Sequence, residues 1–428
     1  MQPLEIALLG AGGRGNFAYG RYAELNPHMV RFVALAEPNE ERRERFRERH
    51  GIPSERCFAS WEELLAQPQL AETLLNATMD RMHVESTLAA LDRGYHVLLE
   101  KPMAVTPEEC VRLVLAAEEH GRILQICHVL RYTQFWGMLH EIVQSGRLGR
   151  VINVDHRENV AYWHMAHSFV RGNWRSAGES SPMILAKCCH DMDILYWILG
   201  APVRRMTSFG KLLYYRADNA PAGAPERCTD GCPAQETCPF YAPRFYLSRG
   251  SDWPTSALTT DTSPDGVLRA LREGPYGRCV FRCDNDVVDN QVINMELESE
   301  ATVTFTMHGH SHNNVRTVRY DGTRATLLAS EATDEIAIYD HLTGSVETFR
   351  PGHVYGGHGG GDTGIMQDFV SAVKGGPRQG ATTARASLES HLMAFAAEEA
   401  RAAGGVLDMA AYRQEVEARA LNQSLDLA

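Results

Sequence analysis

Residues able to do chemistry fall into five groups along this chain of 428 residues. The first is Lys101, near the end of the run Tyr95-His96-Val97-Leu98-Leu99-Glu100-Lys101-Pro102. A lysine just past a parallel strand points into the crevice where ligands of such sheets bind, and Pro102 fixes the backbone behind it. The second is Leu185 to Leu195, where Lys187, His190 and Asp193 recur at intervals of three and would share one helix face. Imidazole titrates near neutral pH, so His190 suits removal of a hydroxyl proton; the inert alternative is a structural histidine beside a Lys187–Asp191 ion pair. The third is Tyr162 to Arg175. The rings of Tyr162, His164, His167 and Trp174 could stack on a sugar and bind its hydroxyls, and Arg171 and Arg175, with Lys187, could hold an anionic group on it.

The fourth group is the glycine-rich loop Gly356-Gly357-His358-Gly359-Gly360-Gly361-Asp362. It passes close to something, which puts His358 at a site, and Asp362 reads as the cap of a helix beginning near Thr363. The fifth is Cys228-x3-Cys232-x5-Cys238 with Cys279-x3-Cys283. Close-spaced thiols in a stretch without periodicity suggest a closed four-thiolate site, a structural zinc held by Cys228, Cys232, Cys238 and Cys283, with Cys279 the substitute. An iron–sulfur cluster, disulfides or free thiols are the alternatives. Cys188 and Cys189 read as packing residues.

The elements that must position these groups begin at the first residues. Leu4-Glu5-Ile6-Ala7-Leu8-Leu9 is an apolar strand that runs into Gly10-Ala11-Gly12-Gly13-Arg14-Gly15, a G-x-G-x-x-G. A helix from about Asn16 to Leu25 and a strand from Val30 to Ala36 complete a βαβ unit ending on Glu37. Gly10 allows the tight turn, Gly12 the approach of a pyrophosphate, and Gly15 the packing of helix on strand. The helix N-terminus offers free N–H groups and a positive dipole end. Glu37 stands where a carboxylate accepts from a ribose diol and repels a 2′-phosphate, so the expected cofactor is NAD rather than NADP.

The continuation names a family. Thr73 to Ala77 reads as the next strand, followed by Thr78 and His83, a helix, and the Glu100-Lys101-Pro102 ending. With Gln144 to Gly149 before a long strand, His190-x-x-Asp193, and an Ala-rich helix near Leu388 to Ala403, the chain resembles the Gfo/Idh/MocA family of glucose–fructose oxidoreductases and inositol dehydrogenases over nearly its whole length. The resemblance implies that Gly10, Gly12, Gly13, Arg14, Gly15, Glu37, Thr78, His83, Glu100 and Lys101 line the cofactor. It also implies that Lys101 holds the substrate hydroxyl, that His190 is the general base, and that a sheet face makes a dimer or tetramer. The family pattern Asp-x-x-x-His-x-x-Asp is broken, since Ala186 replaces the first Asp; either Asp193 orients His190 or Lys187 substitutes. The implied activity is NAD-dependent oxidation or reduction of a secondary hydroxyl on a sugar, cyclitol or glycoside. The related NAD-dependent glycosidases, some with a similar His-Gly-Gly-x-Asp, and non-catalytic NAD-binding regulators are the alternatives.

The whole chain is consistent with this. It is 44% hydrophobic and 22% charged, long enough for two cores. A net charge of −12 argues against nucleic acid or an anionic membrane as partner. No apolar run approaches the roughly 20 residues of a membrane span, and a strand beginning at Leu4 leaves no room for a signal peptide, so a cytoplasmic protein is expected. The expected fold is α/β: a Rossmann domain over 1–130, then over 131–428 an α/β domain on a large, mostly antiparallel sheet, with a Cys-rich insertion at about 218–286. Alternating runs at Gln291 to Leu297 and Ala301 to Met307 predict two of its strands, and Thr106-Pro107-Glu108-Glu109 predicts a capped helix start.

Overall fold

The computed structural model describes residues 2–352, 354, 357–376 and 381–426; Gly356, at the head of the glycine loop, lies outside them. Six strands form the first sheet: β1 (Leu4–Leu9), β2 (Val30–Ala36), β3 (Cys57–Phe58), β4 (Thr73–Asn76), β5 (His96–Leu99) and β6 (Leu124–Ile126). Their order is β3-β2-β1-β4-β5-β6 and every pairing is parallel. The order in which strands are added therefore reverses between β1 and β4, and the crevice there is open at the C-terminal ends, where Gly10, Glu37, Thr78 and Lys101 follow their strands. The central strands are mostly apolar because helices cover both faces. The Pro107–Glu119 helix begins with the expected capping box, Thr106 and Glu109 bonding reciprocally.

Nine strands form the second sheet: β7 (Val151–Ala161), β8 (Val203–Lys211), β9 (Asn290–Leu297), β10 (Thr302–Ser311), β11 (Val315–Gly322), β12 (Ala325–Ser330), β13 (Glu335–Asp340), β14 (Val346–Phe349) and β15 (Val406–Asp408). The order is β14-β13-β12-β11-β7-β10-β9-β8-β15. All neighbours are antiparallel except β10 and β7. Alternate residues of β10 are buried, so one face is covered. Residues Leu388, Leu392, Met393 and Ala396 of the Ala384–Ala403 helix are buried in the same apolar core as that face.

Three local expectations are corrected. The chain from Gly13 to Gly20 winds in wide π-helical turns and becomes α-helical only over Arg21–Leu25. The segment carrying Lys187 and His190 is two helices, Met183–Ala186 and Cys189–Leu199, so Lys187 sits in the break and does not share a helix face with His190. Helix Gly361–Val373 is capped by Gly360 at φ 91°, and Asp362 lies inside its first turn rather than at its cap. Its Ile365, Met366, Phe369 and Val370 bury against the nucleotide domain, so the glycine loop is pinned beside the crevice. Among the described residues no helix is long and apolar enough to cross a membrane.

Candidate active site

Two glycines of the first loop are demanded by the fold. A side chain on Gly10, at φ +86°, would lie 2.6 Å from the Ala77 carbonyl oxygen, and one on Gly15 only 2.0 Å from that of Gly10. A side chain on Gly12 or Gly13 would meet nothing within 4 Å, so these two form a cradle that a Cβ would fill. At the edge, Glu37 accepts from the Ala11 N–H at 2.8 Å and the Asn39 N–H at 3.0 Å. Cradle, helix start and edge carboxylate fit a dinucleotide. The Arg14 guanidinium leaves the loop to meet Glu100 at 2.5 Å and Asp362 at 2.8 and 3.0 Å, and it also donates to Tyr19. Burial alone would raise the Glu100 carboxyl, but Arg14 and Lys101 outweigh it and hold it low. Thr78 donates its hydroxyl to Asn76, and the His83 ring lies between the Pro102 oxygen (2.7 Å) and the Thr78 oxygen (3.2 Å). His83 therefore ties the loop after β4 to the one carrying Lys101.

The Lys101 ammonium donates to the Ala186 carbonyl at 3.0 Å. That carbonyl belongs to the residue that replaces the expected carboxylate, and it lies four positions before His190. His190 is 6% exposed, and its buried Nδ1 has no partner among the described residues. Its ring centre is 5.9 Å from those of His128 and His358. Burial, then the charge of Lys101, hold the imidazole well below its ordinary pKa, so it is neutral at pH 7. His358, in the left-handed region at φ 51°, places Nδ1 3.1 Å from Asp362. Burial would raise the Asp362 carboxyl, but Arg14 and His358 hold it below the usual range.

Behind these lies a buried ionic network. Lys187 pairs with Glu158 at 3.2 Å, not with Asp191. Asp191 instead receives Arg316 at 2.7 and 3.1 Å and lies 2.9 Å from His156, and Arg316 also approaches Glu158 at 2.6 Å. Both oxygens of Asp193 accept from Arg131, at 2.5 and 2.7 Å, so they are turned to that guanidinium rather than to His190. Sequence reasoning passed over Glu158, although Val154, His156, Glu158 and Val160 alternate on the inward face of β7.

The sequence matches two domain profiles, an oxidoreductase family NAD-binding Rossmann fold over residues 4–128 and the oxidoreductase family C-terminal alpha/beta domain over residues 140–409. The chain belongs to the Gfo/Idh/MocA oxidoreductase family. It is 25% identical to YteT of Bacillus subtilis strain 168, itself named only provisionally as an oxidoreductase, over 73% of this chain and 78% of that one. Levoglucosan dehydrogenase, solved with NADH and L-sorbose, superposes with a TM-score of 0.69 at 17% identity, over 96% of this chain and 99% of that one. An inositol dehydrogenase homologue of Azotobacter vinelandii, solved with NADH and myo-inositol, gives 0.67 at 17%, over 95% and 98%. At such identities the two structures establish the fold.

In this family member the Tyr162–Arg175 segment divides. Tyr162, His164 and Trp174 are partly exposed, His164 set 3.1 Å from Asn314 and Trp174 donating to Asp80 at 3.3 Å. Asp80, fixed also by Ser180 and Ser181, ties the two domains. The others turn toward the insertion. His167 is buried on the Tyr246 hydroxyl (2.8 Å), and Arg175 is paired with Asp284 and Glu179. Arg171 is 2% exposed and donates to the Phe240 and Arg278 carbonyls, each at 2.7 Å.

Arg171 also explains a correction. All ten cysteines are free, and no group of three or more His, Cys, Asp or Glu among the described residues could hold a metal, so zinc on Cys228, Cys232, Cys238 and Cys283 is not supported. The guanidinium lies 3.6 Å from the Cys228 sulfur, and the Cys283 thiol donates to the Cys279 carbonyl. A buried cation beside these thiols opposes a divalent ion, and its hydrogen bonds supply the cross-link.

Two other buried histidines set an acid limit on stability. Burial, with Arg171, holds His167 at about 3; burial, with His128, does the same for His391. In the unfolded chain they titrate near about 6.5. Below that pH the unfolded state binds more protons, so their contribution is present above about 6.5 and is lost as pH falls toward 3. The melting temperature is expected to drop steadily from pH 6.5 to 4, and less steeply in His391→Gln. Equal slopes in parent and variant would contradict this.

Proposed function

We propose that the enzyme exchanges hydride between NAD and a secondary hydroxyl carbon of a sugar, cyclitol or glycoside, in the cytoplasm. The observation that carries this is the meeting of Lys101 with the backbone just ahead of His190, at the crevice beside the glycine cradle. When bound, NAD supplies the hydride acceptor or donor. Gly10 to Gly15 and Glu37 hold it. The Lys101 ammonium positions and polarises the substrate oxygen, and neutral His190 takes the hydroxyl proton in oxidation and returns it in reduction. The polyol ligands of the two structural neighbours are consistent with this class.

Glu37 supports NAD over NADP. Calorimetric titration is expected to show NADH binding far more tightly than NADPH, and Glu37→Ala to narrow the gap; equal affinities in the parent would overturn the assignment. A homodimer or homotetramer through the open face of the second sheet, where Leu328 and Tyr339 are exposed, completes the proposal.

One observation favours a second reading. The His358–Asp362 pair faces His190 and supplies the extra acid or base that a transiently oxidising NAD-dependent glycosidase needs. A non-catalytic regulator is disfavoured by the presence of both Lys101 and His190.

A further inference from the structure

The insertion brings an aromatic platform to the site. Trp253 is 49% exposed, yet its ring is fixed from several sides: 5.0 Å from His164, 5.4 Å from His167 and 5.5 Å from Trp163, centre to centre. Trp163 is itself partly exposed and carries the Arg249 guanidinium 4.6 Å above its ring. Arg249 is exposed and has no carboxylate partner among the described residues, which leaves its donors for a ligand. Trp163 and His164 directly follow β7, the strand whose Glu158 holds Lys187. Lys187 adjoins Ala186, whose carbonyl takes the Lys101 ammonium. Behind His164, the buried Phe169 ring (5.9 Å) connects it to Trp174 (6.3 Å from Phe169). The charges of Lys187 and Lys101 both act on the His164 ring, so Trp253, which packs on that ring, stands beside the reacting end.

We propose that Trp253 and Trp163, with Arg249 at their edge, form a second sugar subsite, so that the substrate is a glycoside of at least two rings. One ring presents its hydroxyl to Lys101 and His190. The apolar face of the next lies on the half-exposed Trp253 indole, and Arg249 donates to its hydroxyls. The proposal rests on the reading that a sugar hydroxyl reacts. It adds that the insertion recognises what is attached to that sugar.

The test is calorimetric titration of the full chain, with NAD present, using glucose against maltose and cellobiose, galactose against lactose, mannose against mannobiose, and xylose against xylobiose. At least one disaccharide is expected to bind about tenfold more tightly than its monosaccharide, as one aromatic stacking contact allows. Trp253→Ala is expected to remove that gain while leaving the monosaccharide affinity unchanged, and Trp253→Phe to keep most of it. Disaccharides no tighter than monosaccharides, or a Trp253→Ala loss shared equally by both, would overturn the subsite and leave the dehydrogenase reading standing. Failure of every sugar to bind would overturn both.

Discussion

Replacing Lys101 or His190 with alanine is expected to lower turnover about 10²–10⁴-fold and to leave NAD affinity nearly unchanged. The two residues sit past the cradle, not in it. Lys101 reaches the Ala186 carbonyl, and His190 is buried on the adjoining helix. In the proposed reaction, loss of the ammonium removes the group that holds the reacting oxygen, and loss of the imidazole removes the proton acceptor. Single-turnover rates with the true substrate, alongside calorimetric titration of NADH, separate the two quantities. Either variant turning over at near the parent rate would remove that residue from the chemistry. A loss confined to NADH binding would move it to the cofactor.

The second large effect is on stability. Arg171→Met keeps the length of the side chain and removes the donors that satisfy the Phe240 and Arg278 carbonyls. Each buried acceptor left unpaired costs about 1–3 kcal/mol, so a loss of about 2–6 kcal/mol is expected in equilibrium urea unfolding. Because the cross-linked stretch carries Trp253, the insertion should also become the first region cut by protease. A variant as stable as the parent, with the insertion still resistant, would show that Arg171 does not hold it.

The nucleotide domain was legible because its signals are local. Strand, glycine turn, helix and acid follow one another within Leu4 to Glu37, and the strand bounds at β1 and β2 agree with the apolar runs that predict them. What the sequence hid is long-range. Lys187 and His190 have helical spacing, but the break at Lys187 and the demand of Glu158, on a strand far away in sequence, set the geometry. Asp362 reads as a cap until Arg14 and His358 are seen to claim its carboxylate. Arg171 and Arg175 look like anion binders because neither the Arg278 carbonyl nor Asp284 can be foreseen as a partner from local pattern. Cysteine spacing likewise cannot reveal a guanidinium lying beside the thiols.

The most direct test of the central claim is product analysis in D₂O with NAD present, run on an aryl glycoside and on free sugars and cyclitols while NADH absorbance is followed. The account predicts that NADH rises one for one with a ketone product and that the glycosidic bond stays intact. Release of the aglycone with NADH flat, and with deuterium at C2 of the freed sugar, would contradict it and establish the glycosidase.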